Sequence, residues 1–531
     1  MASTSLDLKS FPTAVSDTIT TSETTLSYGS TVDVAIKLAA RTQADERVGE
    51  AQSRHLRAKL DRRLLPLLFC LYTVQFIDKT TLNSSAVLGL LKDANLTTDD
   101  FNTLGSAFYI GYLVFQYPQN LALQYFPVGK WITFNLFMWA LLLGLHCVCH
   151  NFSGLFALRF LLGAAEGCTT AGLMLVTSMF YTRTEIGERI GWTQQCNGLG
   201  TIIGGFLAFG AAHVSPTSKP NQWQTLYLIT CLMTILVCIA FALAMPDNPT
   251  TARFLSAEEK IVAVRRVQEN QNGIETKKWK KDQFVECLTD YKTWMWFFWC
   301  VIANLQNGLG TEASRVIHLF GFTPVQTTLL NIPMGFSQII GITLGCYMLR
   351  KFPNGRAWIH NLFWIPSIIS AFFLIFLPYS NKIGHLCAIY VLNGIGGAPC
   401  FVMMLSWVTS ATAGHTKKLA TNGIFLIGYA LGQALCTQFW KEKYEPEFVV
   451  PWSICLSTYA ADIAIATTLW FLLRAENQRR DKLAKEEASG AADDFGFLDT
   501  VDECGRPVKQ RIEKGFLDMT DRQNLAFRYV L

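Results

Sequence analysis

Four charged side chains stand inside long apolar stretches of the sequence, and their types suit ion-coupled binding chemistry. Asp78 and Lys79 are adjacent, and Arg159 and Glu166 lie seven positions apart in another stretch. In a helix, this separation places both side chains on one face, about 10 Å apart along the axis. A charged group at bilayer depth is costly unless it is paired or hydrated, so each of the four is a candidate functional residue.

Together these side chains suit the binding of an organic anion and the carriage of a proton. Arg159 and Lys79 can hold a carboxylate through charge-assisted hydrogen bonds. Glu166 and Asp78 can load a proton, because a carboxyl group shielded from water can exchange protons near neutral pH. An alternative interpretation is that Arg159 and Glu166 pair with other helices only to fix the fold. Asp78 can likewise be an interfacial group at the end of its helix.

Other polar residues in the apolar stretches are weaker candidates. Asp462 either lines a cavity or bonds a nearby Ser or Tyr. Most of the amide side chains are expected to form helix–helix hydrogen bonds, and a minority to contact substrate. They are Gln194, Gln195, Asn197, Asn304, Asn307, Asn331, Asn393 and Gln433. No metal site or cofactor is expected, since the 15 Cys include no C-x-x-C pair.

The composition indicates that these groups are carried on helices that cross a membrane. Of 531 residues, 50% are hydrophobic and 16% charged, whereas soluble proteins carry about 25% charged residues. This excludes a disordered chain, a nucleic-acid-binding protein and an ordinary cytosolic enzyme. About 20 apolar residues cross a bilayer as a helix. Twelve stretches qualify, and we predict an all-α membrane protein with twelve transmembrane helices near 64–82, 108–123, 131–149, 155–178, 190–211, 226–245, 294–310, 327–349, 358–377, 383–406, 419–440 and 452–473.

Basic residues indicate how these helices are oriented. With the N-terminus inside, about 29 Lys and Arg fall in cytoplasmic segments and about six on the other side. Both termini are therefore predicted to be cytoplasmic, and residues 1–40 contain no apolar segment typical of a cleavable signal. The sequons at Asn95 and Asn151 fall on the outer side, where glycosylation takes place. The plasma membrane is the expected location.

A repeated motif divides the chain into two halves. The pattern L-x-x-F-P-x-G-[KR] occurs at 123–130 and again at 349–356, after the second and eighth stretches. Pro and Gly favour a tight turn there, and the equivalent placement indicates duplication. Two six-helix halves in parallel repeat are the architecture of major facilitator transporters. The predicted organisation is a cytoplasmic, largely disordered tail (1–63), a first half (64–245), a cytoplasmic loop with an amphipathic helix capped by Ser256 and Glu259 (246–292), a second half (293–473) and a cytoplasmic tail (474–531).

Several segments carry a family resemblance when taken together. They are FIDK (76–79), GYLVFQYPQN (111–120), RFLLGAAEG (159–167), PDNP (246–249), ARFL (252–255), AGHTK (413–417), ENQRRD (476–481) and the ending 516–531. With these segments the chain resembles the fungal allantoate-permease group, in the anion:cation symporter branch of the major facilitator superfamily.

The resemblance implies proton-driven import of small organic anions such as allantoate, ureidosuccinate, nicotinate, pantothenate or biotin. It implies substrate binding and proton coupling by Asp78, Lys79, Arg159 and Glu166, with Gln195 contributing from the fifth helix. Two places depart from the pattern. Relatives often have Asn where Ala411 stands, and G-N-x-x-G-P-Q where 432–438 reads GQALCTQ. The identity of the substrate therefore does not transfer.

The leading expectation is a non-enzymatic secondary transporter that imports a ureide, a vitamin or another small carboxylate together with protons. It is expected to act as a monomer in the bilayer. Two alternatives stay open: an exporter of an anionic secondary metabolite on the same scaffold, and a nutrient receptor that does not transport.

Overall fold

The fold is an all-helical bundle with a small amount of β-structure near the C-terminus. The computed structural model describes residues 50–215, 218–270, 280–352, 354–488, 495–501, 507–513, 520–525 and 527–531. Most of the predicted N-terminal tail lies outside this range. The first half contains span 1 (Glu50–Ser85), span 2 (Thr98–Tyr125), span 3 (Val128–His146), span 4 (Phe152–Glu166 and Cys168–Phe180), span 5 (Arg183–Gln194 and Cys196–Ala212) and span 6 (Gln222–Ala244).

The second half repeats this arrangement. Short helical turns join several of the pieces, at Ala86–Leu90, Leu91–Asp93, Leu392–Gly397 and Glu442–Tyr444. The spans are span 7 (Tyr291–Leu305 and Gly308–Leu319), span 8 (Pro324–Leu330 and Ile332–Lys351), span 9 (Arg356–Phe376), span 10 (Lys382–Val391 and Ala398–Ala411), span 11 (His415–Cys436) and span 12 (Val449–Ala488).

Eight of these spans are apolar and long enough to cross a membrane by length and composition alone, within the described residues. The remaining four are spans 1, 2, 5 and 7, and all four contribute side chains to a polar cavity described below. A helix that faces such a cavity need not be apolar all round, because its polar residues do not face lipid.

Span 7 extends further than the sequence predicts. The apolar stretch ends near residue 310, but the second piece of the helix continues to Leu319. It carries Glu312 and Arg315, whose Oε2 and Nε lie 2.9 Å apart. Arg315 therefore lies in a buried ion pair within the helix, whereas the charge count from the sequence places it in a loop on the outer side. The burial of Arg315 is tolerated because Glu312 neutralises its charge.

Local sequence signals set where several spans begin and end. Spans 2 and 8 start at Thr97 and Thr323, and each Thr side chain accepts a hydrogen bond from the backbone three residues on. The repeated Phe-Pro motif ends spans 2 and 8 in the same way. Phe126 N–H donates to Ala122 O and Phe352 N–H donates to Met348 O, both at 2.8 Å.

Each half has its own hydrophobic core. One cluster of buried residues runs from Leu56 to Ala263, and two others lie entirely between Trp296 and Tyr529. Spans 2 and 4 touch backbone to backbone, since a Cβ on Gly111 would lie 2.0 Å from Phe160 O and one on Gly163 would lie 1.9 Å from Phe108 O. Only glycine permits this approach, which fixes span 4 against span 2.

The link between the halves packs on one end of the bundle, which we call the connection face; the other end is the opposite face. Helix Ala257–Asn270 starts after Ser256, whose Oγ accepts from Glu259 N–H at 3.2 Å, as the capping box predicts. Lys59 Nζ contacts Glu259 Oε2 at 2.6 Å, and Arg266 is ion-paired with Glu185. Helix Lys281–Thr289 then leads into span 7.

The C-terminal region is more structured than a tail. Span 12 continues past residue 473 to Ala488, and strands β1 (Phe495–Val501) and β2 (Pro507–Glu513) form an antiparallel pair. Residues 520–525 and 527–531, the C-terminal segment, dock on the connection face of the second half. Arg480 donates to Asp521 O at 2.8 Å, and Trp407 Nε1 donates to Val530 O at 2.9 Å.

Candidate functional site

A central cavity of about 260 Å³ lies between the two halves. Eight spans line it, namely 1, 2, 4 and 5 of the first half and 7, 8, 10 and 11 of the second. Nine of the described lining residues carry carboxamide side chains: Gln75, Asn83, Gln194, Asn197, Asn304, Asn307, Asn331, Gln338 and Gln433. Among the lining residues in the described part of the chain, Lys79 alone is charged.

Lys79 is held at the cavity wall by a buried acid. Its Nζ lies 3.4 Å from Glu166 Oε1, and its side chain keeps 25% of its exposure while that of Glu166 keeps none. Gln75 donates from Nε2 to the same carboxylate oxygen at 2.6 Å. Glu166 Oε2 has no hydrogen-bond partner among the described residues. Within the described part of the chain, an acid with an unpaired oxygen thus lies directly behind the single charged residue of the cavity lining.

The local sequence explains this geometry. Gln75 and Lys79 are one helical turn apart on span 1, so both side chains lie on one face. Span 4 is interrupted at Gly167, immediately after Glu166. The close contact of Gly163 with span 2 brings this part of span 4 into the interior of the bundle.

Arg159 and Asp78 lie elsewhere, inside the first half and away from the cavity lining. Arg159 is 4% exposed and Asp78 is 1% exposed. The guanidinium group of Arg159 donates to the hydroxyl of Tyr227, and Asp78 Oδ2 accepts from Trp139 Nε1 at 2.9 Å. Asp78 is therefore a buried group and not an interfacial one. The structure separates the four predicted charges into a pair at the cavity and a sealed set behind it.

Among the described residues, Gln195 and Asp462 do not line the cavity, whereas six of the predicted amides do: Gln194, Asn197, Asn304, Asn307, Asn331 and Gln433. Gln195 donates to Thr343 Oγ1 at 3.1 Å and so joins spans 5 and 8, whereas its neighbour Gln194 lines the cavity. Asp462 is fully buried, with Oδ2 3.3 Å from His360 Nε2. Asn393 lies in the turn Leu392–Gly397, and its side chain is outside the described part.

Aromatic residues complete the cavity in ways that the charged-residue pattern does not reveal. Tyr109 and Tyr112 of span 2 both face Tyr429 of span 11, with ring centroids 6.4 and 6.5 Å apart. Gln75 is likewise absent from the predicted site. The sequence signal for Gln75 is its spacing of four residues from Lys79, which places both on one helical face. The corresponding signal for Tyr109 and Tyr112 is their spacing of three residues on span 2.

Spans 2 and 11 form a polar seam near the opposite face. Asn102 Nδ2 donates to Trp440 O at 2.8 Å, and Ser106 Oγ lies 3.0 Å from Thr437 Oγ1. Gln438 Nε2 donates to Ser106 Oγ at 2.7 Å. The seam connects the first half to the second through hydrogen bonds between side chains and turns at the ends of two helices.

Within the described residues, twelve spans in two halves surround a polar cavity, an arrangement typical of secondary transporters. Residues 68–437 match the family model of the Major Facilitator Superfamily. The chain therefore belongs to the major facilitator superfamily, and within it to the allantoate permease-like family.

Curated relatives are fungal transporters of nearly the same length. The allantoate permease of Saccharomyces cerevisiae is 31% identical over 94% of this chain and 90% of its own. The thiamine pathway transporter of the same yeast is 31% identical over 89% and 85%, and its high affinity cysteine transporter is 29% identical over 90% and 91%. The crystal structure of a D-xylose-proton symporter matches the fold with a TM-score of 0.58, at 12% identity, over 75% of this chain and 96% of that one.

Proposed function

We propose that this chain imports a small organic anion across the plasma membrane in symport with protons. The observation that supports the proposal is the Lys79–Glu166 pair at the cavity wall, with 3.4 Å between Nζ and Oε1. An anion in the cavity meets one cation, and that cation is already engaged by an acid. Binding of the anion and protonation of the acid are therefore linked.

The linkage follows from the charge at the site. Without substrate, Lys79 and Glu166 neutralise each other. When an anion takes over the ammonium group, Glu166 is left as a fully buried carboxylate whose remaining polar partner is Gln75. A buried charge without a counter-ion is costly, so uptake of a proton by Glu166 stabilises the loaded state. Movement of the two halves then carries the anion and the proton together.

Asp78 and Arg159 are proposed to support this pair and not to contact the anion. Both are almost fully buried within the first half, and each has a polar partner there, Trp139 and Tyr227. They are positioning residues that hold spans 1, 3, 4 and 6 together around the site. Asp462 and Gln195 are proposed to act through helix contacts in the same manner.

The orientation is proposed from the distribution of basic residues, which are concentrated on the connection face, as expected for a cytoplasmic side. Asn95 and Asn151 are exposed on the opposite face, and Asn151 also caps span 4 through Gly154 N–H at 2.9 Å. Both sequons are therefore accessible for glycosylation if that face is extracellular.

The proposal is tested by uptake of labelled allantoate, nicotinate, pantothenate and biotin into host cells that lack their own anion permeases. We expect at least one anion to accumulate faster at acidic than at neutral external pH, and a protonophore to abolish accumulation. Lys79→Gln should reduce this uptake by about a hundredfold, because the loaded anion would have no cation in a low-dielectric site. Lys92→Gln, at an exposed lysine on the opposite face, is the matched control.

The same cells separate the alternatives. An exporter would deplete a preloaded anion without accumulating an external one, and a receptor would do neither. Either result, with the chain present at the cell surface, would refute import.

A further inference from the structure

The cavity has a charge balance that restricts which anions it can hold. Lys79 is the single charged lining residue in the described part of the chain. Glu166 lies behind it, and the charge of this carboxylate can be neutralised by one proton. Arg159 cannot serve as a second cation in this state, since it is 4% exposed and its guanidinium group is bonded to Tyr227 inside the first half.

This balance accommodates one negative charge. A singly charged anion on Lys79, with a proton on Glu166, leaves the site neutral, as it is when empty. A doubly charged anion would leave one carboxylate among uncharged amides and tyrosines without a counter-ion. Buried charges are tolerated when they are paired, and are strongly destabilising when they are not.

The side of the cavity formed by the second half is neutral but rich in hydrogen-bonding groups. Asn304 is 1% exposed, and its Oδ1 accepts from Asn307 Nδ2 at 3.0 Å and from Gln433 Nε2 at 3.3 Å. Its own Nδ2 donates to Cys300 O at 2.7 Å. Asn304 is therefore fully hydrogen-bonded: its Oδ1 holds the other two amides, and its Nδ2 also donates to Cys300 Sγ at 3.5 Å.

Asn307 and Gln433 keep hydrogen-bonding capacity for a ligand. Each amide nitrogen carries two N–H groups, and each uses one of them on Asn304. The second N–H of each residue and the amide oxygens belong to side chains that line the cavity, and Gln433 Oε1 accepts one weak hydrogen bond from Cys436 Sγ at 3.7 Å. A carboxamide that is fixed by a neighbour is a preorganised donor and acceptor, which favours substrates with matching polar groups.

We propose that the cavity selects a singly charged anion, with Lys79 holding its anionic group and with Asn307 and Gln433 recognising polar groups on its uncharged part. Asn304 is the positioning residue for both amides. This inference rests on the proposed function. It adds the number of charges that the substrate carries and the residues that bind its uncharged part. The amides of spans 7 and 11 then determine which uncharged groups of the substrate are accepted, and Lys79 of span 1 determines how many negative charges the substrate can carry.

The first test compares matched anions that differ by one carboxylate. Nicotinate is compared with quinolinate, and N-acetyl-β-alanine with N-acetylaspartate, as competitors of whichever labelled anion the uptake panel identifies. We expect each singly charged member to compete at least about tenfold better than its doubly charged partner. Equal or better competition by the doubly charged members would overturn the inference while leaving import of anions intact.

The second test changes the charge of the cavity. Asn307→Lys adds a cation on span 7 and should bring the doubly charged competitor to parity or better, a shift of about tenfold in the ratio. Gln338→Lys, from span 8, repeats the test if Asn307→Lys does not reach the membrane. An unchanged ratio in a surface-expressed variant of either kind would contradict the proposal.

The third test addresses the amides. Asn307→Leu and Gln433→Leu should raise the KM for anions with amide or hydroxyl groups by about tenfold, because buried partner groups are left unpaired. Competition by hexanoate, which has no polar group beyond its carboxylate, should stay within about threefold. Asn304→Leu should raise the KM by as much as Asn307→Leu and Gln433→Leu combined, because Asn304 positions both amides. If hexanoate and the amide-bearing anions weaken equally, the amides have only a structural role. Absence of transport of every anion would instead refute the proposed function.

Discussion

At the scale of single residues, two acid–cation sets with similar chemistry have different surroundings. Lys79 reaches the cavity while Glu166 is sealed behind it, so this pair can exchange its internal partner for a ligand. Arg159 and Asp78 are both sealed and bonded to Tyr227 and Trp139. Exposure to the cavity, and not residue type, separates the proposed transport pair from the proposed structural set.

Removing one member of the sealed set should damage the fold before it changes substrate binding. Arg159→Gln removes the cation whose electrostatic interaction stabilises the buried Asp78 carboxylate, and a buried charge left without compensation is strongly destabilising. We expect the single variant to be lost from the membrane fraction, as measured by fluorescence-detected size-exclusion chromatography. The double variant Arg159→Gln, Asp78→Asn should recover protein.

The double variant also distinguishes a positioning role from direct binding. Its KM for the transported anion should stay within about threefold of the unaltered chain, since neither residue lines the cavity. A stable double variant that no longer binds the anion would show that Arg159 or Asp78 contacts the substrate.

The sequence identifies the charged residues but not their grouping. Arg159 and Glu166 share a helical face by spacing, yet the break at Gly167 and the close contact of span 4 with span 2 direct them to different neighbours. The contact of Gln75 with Glu166 joins residues 91 positions apart. Such long-range pairings depend on how helices pack, which periodicity within one helix does not encode.

At the scale of elements, the C-terminal segment ties together the connection-face ends of the second half. Asp521 is 1% exposed and accepts from Tyr529 OH at 2.6 Å, while Lys417 Nζ contacts its Oδ1 at 2.7 Å and Lys292 is ion-paired with it. Asn477 and Tyr529 exchange two hydrogen bonds, at 2.8 and 2.9 Å. Spans 7, 11 and 12 are thereby linked through one short segment.

Asp521→Asn should loosen this segment. The substitution removes charge-assisted hydrogen bonds worth about 2 kcal/mol, which corresponds to a roughly thirtyfold larger undocked fraction. Trypsin cleavage at Arg522 and Arg528, followed by mass spectrometry of the released peptides, measures that fraction. Glu442→Gln, on the opposite face, is the control. Equal cleavage of all three proteins would show that Asp521 does not hold the segment.

The same contact predicts a pH dependence. Burial alone would raise the pKa of Asp521, but Lys292 and Lys417 outweigh it and hold the pKa below its ordinary value of 3.8. A lowered pKa in the docked state means that the stabilisation is present above about pH 4 and is lost as the pH falls further. Cleavage of the unaltered chain should therefore increase in that acidic range, using an acid-active protease, and Asp521→Asn should not show the increase.

The sequence predicts the spans better than it predicts these attachments. The Ser256–Glu259 capping box and the repeated Phe-Pro turns appear in the structure because they depend on neighbours a few residues apart. The docking of the C-terminal segment depends on Lys292, which is 229 positions from Asp521. Charge counts assign that lysine only to a loop.

At the scale of the whole molecule, we expect the seam between spans 2 and 11 to open during transport. Ser106 and Thr437 belong to different halves, and their hydroxyl oxygens lie 3.0 Å apart. Substrate that enters from the opposite face would have to pass between these helices as the halves rotate.

Cross-linking the seam should stop transport reversibly. The double variant Ser106→Cys, Thr437→Cys should form a disulfide under mild oxidation and lose at least about nine-tenths of its uptake, since such a bridge holds Cβ atoms within about 4.5 Å. A reductant should restore uptake. Thr437→Cys alone is the control, because it keeps the native cysteines nearby. Full uptake by the oxidised, cross-linked protein would show that the seam need not open.

The central claim is that the anion and a proton move together because Glu166 is protonated when Lys79 binds the anion. The most direct measurement places the purified chain in liposomes with an internal pH-sensitive dye and adds the labelled anion identified by the uptake panel. We predict one proton taken up for each singly charged anion, and anion exchange without proton movement in Glu166→Gln, while Glu258→Gln, at an exposed acid, behaves like the unaltered chain. Anion uptake with no accompanying proton, or undiminished proton movement in Glu166→Gln, would contradict the account.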